Sequence, residues 1–370
     1  MIEVATEFMT RYCHGKLNQS GCYTMKTTFL SLCFLLFFPL TGYSWQTAVT
    51  AVSFHDLQRN RQLDSIIYYP TADQGETHLL SDTAVFRGIS VLPNAHLAEG
   101  KFPLVVLSHG SGGNNTSLAW LADKLVQQGM VVVAANHPGS TTGDSIPAQS
   151  AQLWLQTEDI SFIISALLSD RRWKSALDEQ AIGVIGHSKG GYSAIAALGA
   201  TLSRPHFIAS CQQQPDQPNC QFYTRAGVKL DQLPADKFEG NYADKRLRFA
   251  IALDPGMVPF YPKSSLLHLS APLLLINADY FISPNESLNL GGATWVKQLN
   301  QPGITAVTLA NSGHFDFLPL CKPAAAAILA EEGEAFICAT PAVEREKIHQ
   351  QTVQKIITYL QQLHIYIEIR

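Results

Sequence analysis

One serine stands between two glycines in Gly186-His187-Ser188-Lys189-Gly190, and the residues around it say what it could do. An apolar run of strand length, from Ala181, ends at Gly186, and a run of small apolar residues of helical length leads from Gly190 to Leu202. The pattern reads as strand, sharp turn and helix, with Ser188 at the apex. Glycines belong on both sides of such a turn because the strand and helix backbones pass close to one another there. A serine hydroxyl is a weak nucleophile and needs a base within hydrogen-bond reach, held in turn by a third group. The N–H of Lys189, at the new helix N-terminus, would face any negative charge that grows beside Ser188.

Of the chain's 12 histidines, His314 is singled out by position: it follows a late apolar run, in a Ser-Gly-His-Phe turn, after both acids that could orient it. Those acids are Asp254, in ALDPG, and Asp279, in INADYF, each just past a strand-like run. Adjacent strand ends can both reach a histidine on the following loop, so the residues alone leave the choice open. His187 is read as pointing along the turn, and His109 and His137 as supports for turns near the same pocket. No set of side chains has the spacing of metal ligands, and the chemistry implied asks for no cofactor.

The elements that must carry these residues follow a β-turn-α-β rhythm. Two β-rich runs between Trp45 and Tyr69 predict an opening antiparallel hairpin or meander ended by Pro70. Leu104–Leu107 and Met130–Asn136 are apolar without alternation, as strands buried between helix layers should be. Between them Leu118, Leu121, Leu125 and Val126 recur on one helical face, with Asn115 or Thr116 as the expected cap and Gly129 at the end. Leu155–Ser169 predicts another helix, and Val343–Leu363 a last one. From 203 to 248 the rhythm stops; this stretch reads as a lid-like insertion after the nucleophile helix, over the edge where pockets form in such sheets. The fold class is α/β, a mostly parallel central sheet flanked by helices.

The chain has 370 residues and a formal net charge of −4, with no basic patch to suggest nucleic acid as a partner. Met25-Lys26 followed by a short apolar core, then Pro39, Gly42 and Ser44, predicts a secretory signal at 25–44, cleaved after Ser44. Residues 1–24 read as an upstream extension of a start at Met25, and 45–370 as one domain. The protein is then exported, periplasmic or secreted, with at most peripheral membrane contact. Four of the 7 cysteines remain after the signal, an even number that suggests two disulfides. Local pairing, Cys211 with Cys220 and Cys321 with Cys338, is expected.

LVVLSHGSGG, GHSKGG, ALDPG, INADYF and SGHFDF together resemble the α/β-hydrolases, and within them the platelet-activating-factor acetylhydrolases and bacterial dienelactone-hydrolase-like serine hydrolases. The resemblance covers roughly 64–363. It implies a triad in the order Ser188, Asp254, His314, since in the acetylhydrolases the acid follows the earlier strand, with Asp279 the alternative found in most of the fold. It also implies the N–H of Ser111 as the second oxyanion donor beside that of Lys189. True dienelactone hydrolases carry cysteine where Ser188 stands, and the acetylhydrolases tend to an aromatic residue where Lys189 stands, a side chain that could alter the pocket rim. The function implied is cleavage of a small-molecule or lipid carboxylic ester, short-chain acyl or phospholipid-type, through an acyl-enzyme. A peptidase of the same fold, a non-catalytic binding protein with that fold and an envelope protein on an uncleaved leader are the competing readings.

Overall fold

The structure, a computed structural model, describes residues 45–280, 288–297, 299 and 301–365. The signal-like segment and the extension before it lie outside these residues. The described chain opens with a long hairpin, β1 (Gln46–Asp56) and β2 (Arg61–Thr71), paired antiparallel from Gln46 opposite Thr71 to Asp56 opposite Arg61. Pro70 does not end the strand: it lies opposite Thr47 inside the pairing. Two short strands follow, β3 (His78–Leu80) and β4 (Ile89–Pro93), then β5 (Phe102–Ser108), helix α1 (Ala119–Gln127) and β6 (Val131–Ala135). A small ribbon, β7 (Ser140–Thr141) and β8 (Asp144–Ser145), leads to α2 (Pro147–Ser150), α3 (Leu153–Ser169) and α4 (Arg171–Ala176). Strand β9 (Leu177–His187) and helix α5 (Lys189–Ala196) enclose Ser188.

Next come α6 (Arg204–Gln213), α7 (Pro218–Arg225) and α8 (Ala235–Phe238), and then the late strands β10 (Leu247–Leu253), β11 (Leu273–Ala278) and β12 (Ile304–Leu309). Short helices α9 (Lys263–Leu266), α10 (Gly292–Val296) and α11 (Ala325–Ala330) fill the connections, and α12 (Ala342–Gln362) closes the chain. Among the described residues ten strands make one sheet in the order β12-β11-β10-β9-β5-β6-β2-β1-β4-β3. From β12 to β6 all neighbours run parallel; β2 then pairs antiparallel to β6.

Burial explains why the central strands show no alternation. In β5, Leu104 and Val106 face the core under α3 and α5, while Val105 and Leu107 face the core under α1 and α12, and all four are buried. A strand covered on both faces gains from apolar residues at every position. The α1 cap differs from expectation: Leu118 precedes the first turn without a side-chain cap, and Asn114 instead accepts from the N–H and hydroxyl of Thr116.

The stretch at 203–248 is helical. Its buried aromatics, Phe207, Tyr223 and Phe238, join the core beneath α3 and α5, and Cys211–Cys220 bonds α6 to α7. The second disulfide joins Cys321 to Cys338. Among the described residues no helix is long and apolar enough to cross a membrane.

Candidate active site

Steric closeness builds the turn at Ser188. A Cβ on Gly186 would lie 1.9 Å from the carbonyl oxygen of Gly190, and one on Gly190 would lie 2.0 Å from that of Ser108, so neither position admits a side chain. Ser188 itself takes φ 57°, left-handed backbone that an L-residue adopts only when its surroundings impose it. Here the Ser188 N–H is held by the carbonyl of Leu253 at 3.0 Å, at the end of β10. The hydroxyl is thereby lifted to the sheet's edge, half-buried.

Asp254 follows β10 directly and His314 follows β12, so parallel strands bring both to the same edge as Ser188. His314 Nε2 lies 3.0 Å from Ser188 Oγ, and its Nδ1 lies 2.6 Å from Asp254 Oδ2. The carboxylate also receives the Ala278 N–H at 3.1 Å and the Tyr280 hydroxyl. Asp279 sits on the next strand end with a different occupation: its oxygens accept the N–H groups of Asn311 at 2.9 Å and Ser312 at 3.1 Å, shaping the turn before His314. His187 is buried, which pushes its pKa well below the ordinary value, and its Nε2–H donates to the His314 carbonyl at 2.9 Å.

Sequence reasoning missed the groups that hold the histidine's turn. The Asp316 carboxylate accepts the Gly313 N–H at 2.7 Å and Arg345 Nε at 3.2 Å. Arg345, 1% exposed, also donates to the Pro319 carbonyl at 3.0 Å. His349 Nε2–H reaches the carbonyls of Asp316 and Leu318 at 3.0 and 2.9 Å, and Trp120 Nε1–H reaches that of Phe317 at 2.9 Å. Burial, reinforced by the Arg345 charge, lowers His349 to a pKa of about 3, which keeps it a neutral donor on this side.

A second buried network supports the turn His109-Gly110-Ser111. Gln156 donates to the His109 carbonyl at 2.6 Å and to Ser108 Oγ at 2.8 Å, and Ser108 bonds His137 Nε2 at 3.1 Å. His137 Nδ1–H donates to Asp159 at 3.0 Å, and that fully buried carboxylate also accepts from Arg61 at 2.6 Å and Arg59 at 2.8 Å. Burial alone would raise the Asp159 pKa; the bonds from His137 and Arg61 outweigh it and hold the carboxyl far below its ordinary range. The His109 ring joins the turn to His137: its Nδ1–H donates to the Gly110 carbonyl at 2.7 Å and its Nε2 accepts the His137 N–H at 3.3 Å.

Ser111 and Lys189 flank Ser188 from the β5 and α5 sides. Among the described residues neither backbone N–H donates to a protein acceptor. Ser111 lines a cleft of about 480 Å³ with Ser150, Gln221, Phe222, Arg225 and Phe336, so α7 of the 203–248 stretch supplies one wall. The Lys189 side chain does not reach a pocket rim; it is buried beneath the turn, with Nζ on Ser140 Oγ and the Ser150 carbonyl.

No family model matches the chain. It is 24% identical over 238 residues to the platelet-activating factor acetylhydrolase of Cavia porcellus, covering 52% of this chain and 44% of that protein, so it spans about half the length of that curated relative. Among solved structures it is similar to a ferulic acid esterase from Streptomyces cinnamoneus, with a TM-score of 0.49, 21% identity and 79% of each chain covered. A second is a putative dienelactone hydrolase from Klebsiella pneumoniae, with a TM-score of 0.43, 13% identity, and 73% of this chain and 89% of that one covered. With its parallel strands, its serine on a left-handed turn between β9 and α5 and its similarity to an acetylhydrolase, the chain is of the α/β-hydrolase type.

Proposed function

We propose that the protein is an exported serine hydrolase that cleaves carboxylic esters. The observation that carries this reading is His314 bridging Ser188 at 3.0 Å and Asp254 at 2.6 Å across three strand ends. Ser188 attacks the ester carbonyl while His314 Nε2 takes its proton. Asp254 holds the ring by Nδ1–H and stabilises the imidazolium that forms. The Ser111 and Lys189 N–H groups receive the oxyanion. His314 returns the proton to the departing alcohol, an acyl-enzyme remains on Ser188, and water releases it by the same route.

Asp254, on the earlier strand, is the acid in this reading, and Asp279 is a turn residue. The cleft beside Ser111 offers apolar Phe222 and Phe336 together with polar Gln221 and Arg225, a lining that suits short-chain acyl or phospholipid-type esters. Two disulfides support folding in an oxidising compartment.

The test is hydrolysis of p-nitrophenyl esters from acetyl to dodecanoyl by the mature protein and by Ser188→Ala, with fluorophosphonate labelling of each. Turnover and labelling in the native protein and neither in the variant are expected. Full ester turnover in Ser188→Ala would overturn the assignment.

A further inference from the structure

Beneath the nucleophile the structure buries an amine where an apolar side chain would fold more easily. Lys189 is 6% exposed, and no ion pair among the described residues includes it. Burial lowers its pKa to about 7. A methionine would fill similar volume without the cost of desolvating an ammonium. Features that cost stability and persist beside a reactive group point to a role in function.

The partners of the ammonium show what that role is. Nζ donates to Ser140 Oγ at 2.9 Å and to the Ser150 carbonyl at 2.7 Å, with Ser150 Oγ at 3.4 Å. Both serines in turn hold the turn opposite Ser188. The Ser140 carbonyl accepts the Gly112 N–H at 3.0 Å, and Ser150 Oγ bonds Ser111 Oγ at 3.1 Å and Ser140 Oγ at 2.9 Å. An ammonium can only donate. It therefore uses Ser140 Oγ and the Ser150 carbonyl as acceptors, and the hydroxyl bonds between Ser140 and Ser150 and between Ser150 and Ser111 carry the linkage on to the turn.

We infer that Lys189 is a positioning residue for the whole oxyanion pocket: its backbone N–H is one donor, and its side chain, through Ser140 and Ser150, fixes the turn that carries the other. One residue adjacent to the nucleophile thus sets the spacing between the two donors. An N–H displaced from the place where the oxyanion forms loses most of its effect, because hydrogen bonds weaken steeply with distance and angle. The inference rests on the serine-hydrolase reading above.

The experiment measures kcat and KM on p-nitrophenyl acetate, with thermal melts, for the native protein, Ser188→Ala, Lys189→Met and Ser150→Ala. Removing an oxyanion donor outright costs about 10²–10³ in kcat, so loosening one is expected to cost roughly 10- to 100-fold. That fall should appear in Lys189→Met with KM changed less than threefold and the melting temperature equal or higher. Ser150→Ala, which cuts the chain and leaves the ammonium on Ser140 Oγ and the residue 150 carbonyl, should lose roughly 5- to 20-fold in kcat, and it decides the matter should Lys189→Met fail to fold. An active native protein with a dead Ser188→Ala, but with Lys189→Met or Ser150→Ala within twofold of native kcat, overturns this inference alone. So does a kcat loss that merely tracks a lowered melting temperature. An inactive native protein overturns the serine-hydrolase reading and this inference with it.

Discussion

Replacing Asp254 by alanine while, separately, replacing Asp279 tests how the two strand-end carboxylates divide their work. Asp254 meets His314 Nδ1 at 2.6 Å and also receives Tyr280 and the Ala278 N–H. Without it the imidazole loses both its tautomer and the charge that stabilises its protonated form. In serine hydrolases that loss is worth about 10⁴ in kcat, roughly 5 kcal/mol of transition-state stabilisation. The buried Ala278 N–H also loses its acceptor, a stability cost of roughly 1–3 kcal/mol, whereas the Tyr280 hydroxyl keeps the Leu288 carbonyl at 3.1 Å. Asp279 instead accepts the N–H groups of Asn311 and Ser312 at 2.9 and 3.1 Å. Its loss should cost stability on the same scale and less than tenfold in kcat. The assay is kcat and KM on p-nitrophenyl acetate, at a temperature where melts show both variants folded. Equal losses in the two variants, or an Asp254→Ala variant within tenfold of native kcat, would refute the division of roles.

Arg345→Met leaves the buried Asp316 carboxylate without its cation, which should cost about 3–5 kcal/mol of stability and lower kcat more than it raises KM, read by denaturant melts and steady-state kinetics. Serine at both Cys321 and Cys338 opens a loop whose ends are 17 residues apart, an expected loss of about 3 kcal/mol, seen as a lower melting temperature. Lys189→Met should be stabilised relative to the native protein by an amount that depends on pH. The folded-state pKa near 7 lies below the unfolded value of 10.5, so the unfolded state binds more protons between the two and native stability rises with pH across that window. The gain in the variant is therefore largest below pH 7 and disappears towards pH 10, a trend that melts at pH 6, 8 and 9.5 would follow.

Ser188 and His314 are legible in the sequence because Ser188 directly follows β9 and His314 lies in the turn five residues after β12, and a parallel sheet delivers such positions to one edge. The acid was open for the same reason. Strands β10 and β11 are neighbours in register, Leu253 opposite Ile276, so both carboxylates arrive at that edge and only the side-chain geometry separates them. The helices of 203–248 were not legible: α6 buries only Phe207 and Cys211, too few positions to form a periodic stripe. The direction of Lys189 was hidden as well, because its partners Ser140 and Ser150 lie 49 and 39 residues away in sequence.

The two halves of the site differ in where their order comes from, and that difference explains what the sequence shows of each. The nucleophile's geometry is local: close approach of Gly186 to Gly190 forces the turn, so five consecutive residues announce it. The histidine's geometry is assembled from afar. Its turn is gripped by Arg345 and His349 of α12 and by Trp120 of α1, the last 197 residues from the carbonyl it holds. Beside the apolar stripe of α12, with Ile348, Ile356 and Leu360, Arg345 and His349 read in the sequence as ordinary surface residues. Their burial is a consequence of α12 packing beside α1, with the Trp120 and His349 rings stacked 3.6 Å apart. A change at the elbow glycines therefore acts on the backbone that presents Ser188 to the sheet edge, whereas a change on α12 leaves that backbone in place and loosens the base alone. On the serine-hydrolase reading, ester turnover needs His314 twice per cycle, so it responds to those two kinds of damage differently from labelling of Ser188 by a small phosphonate.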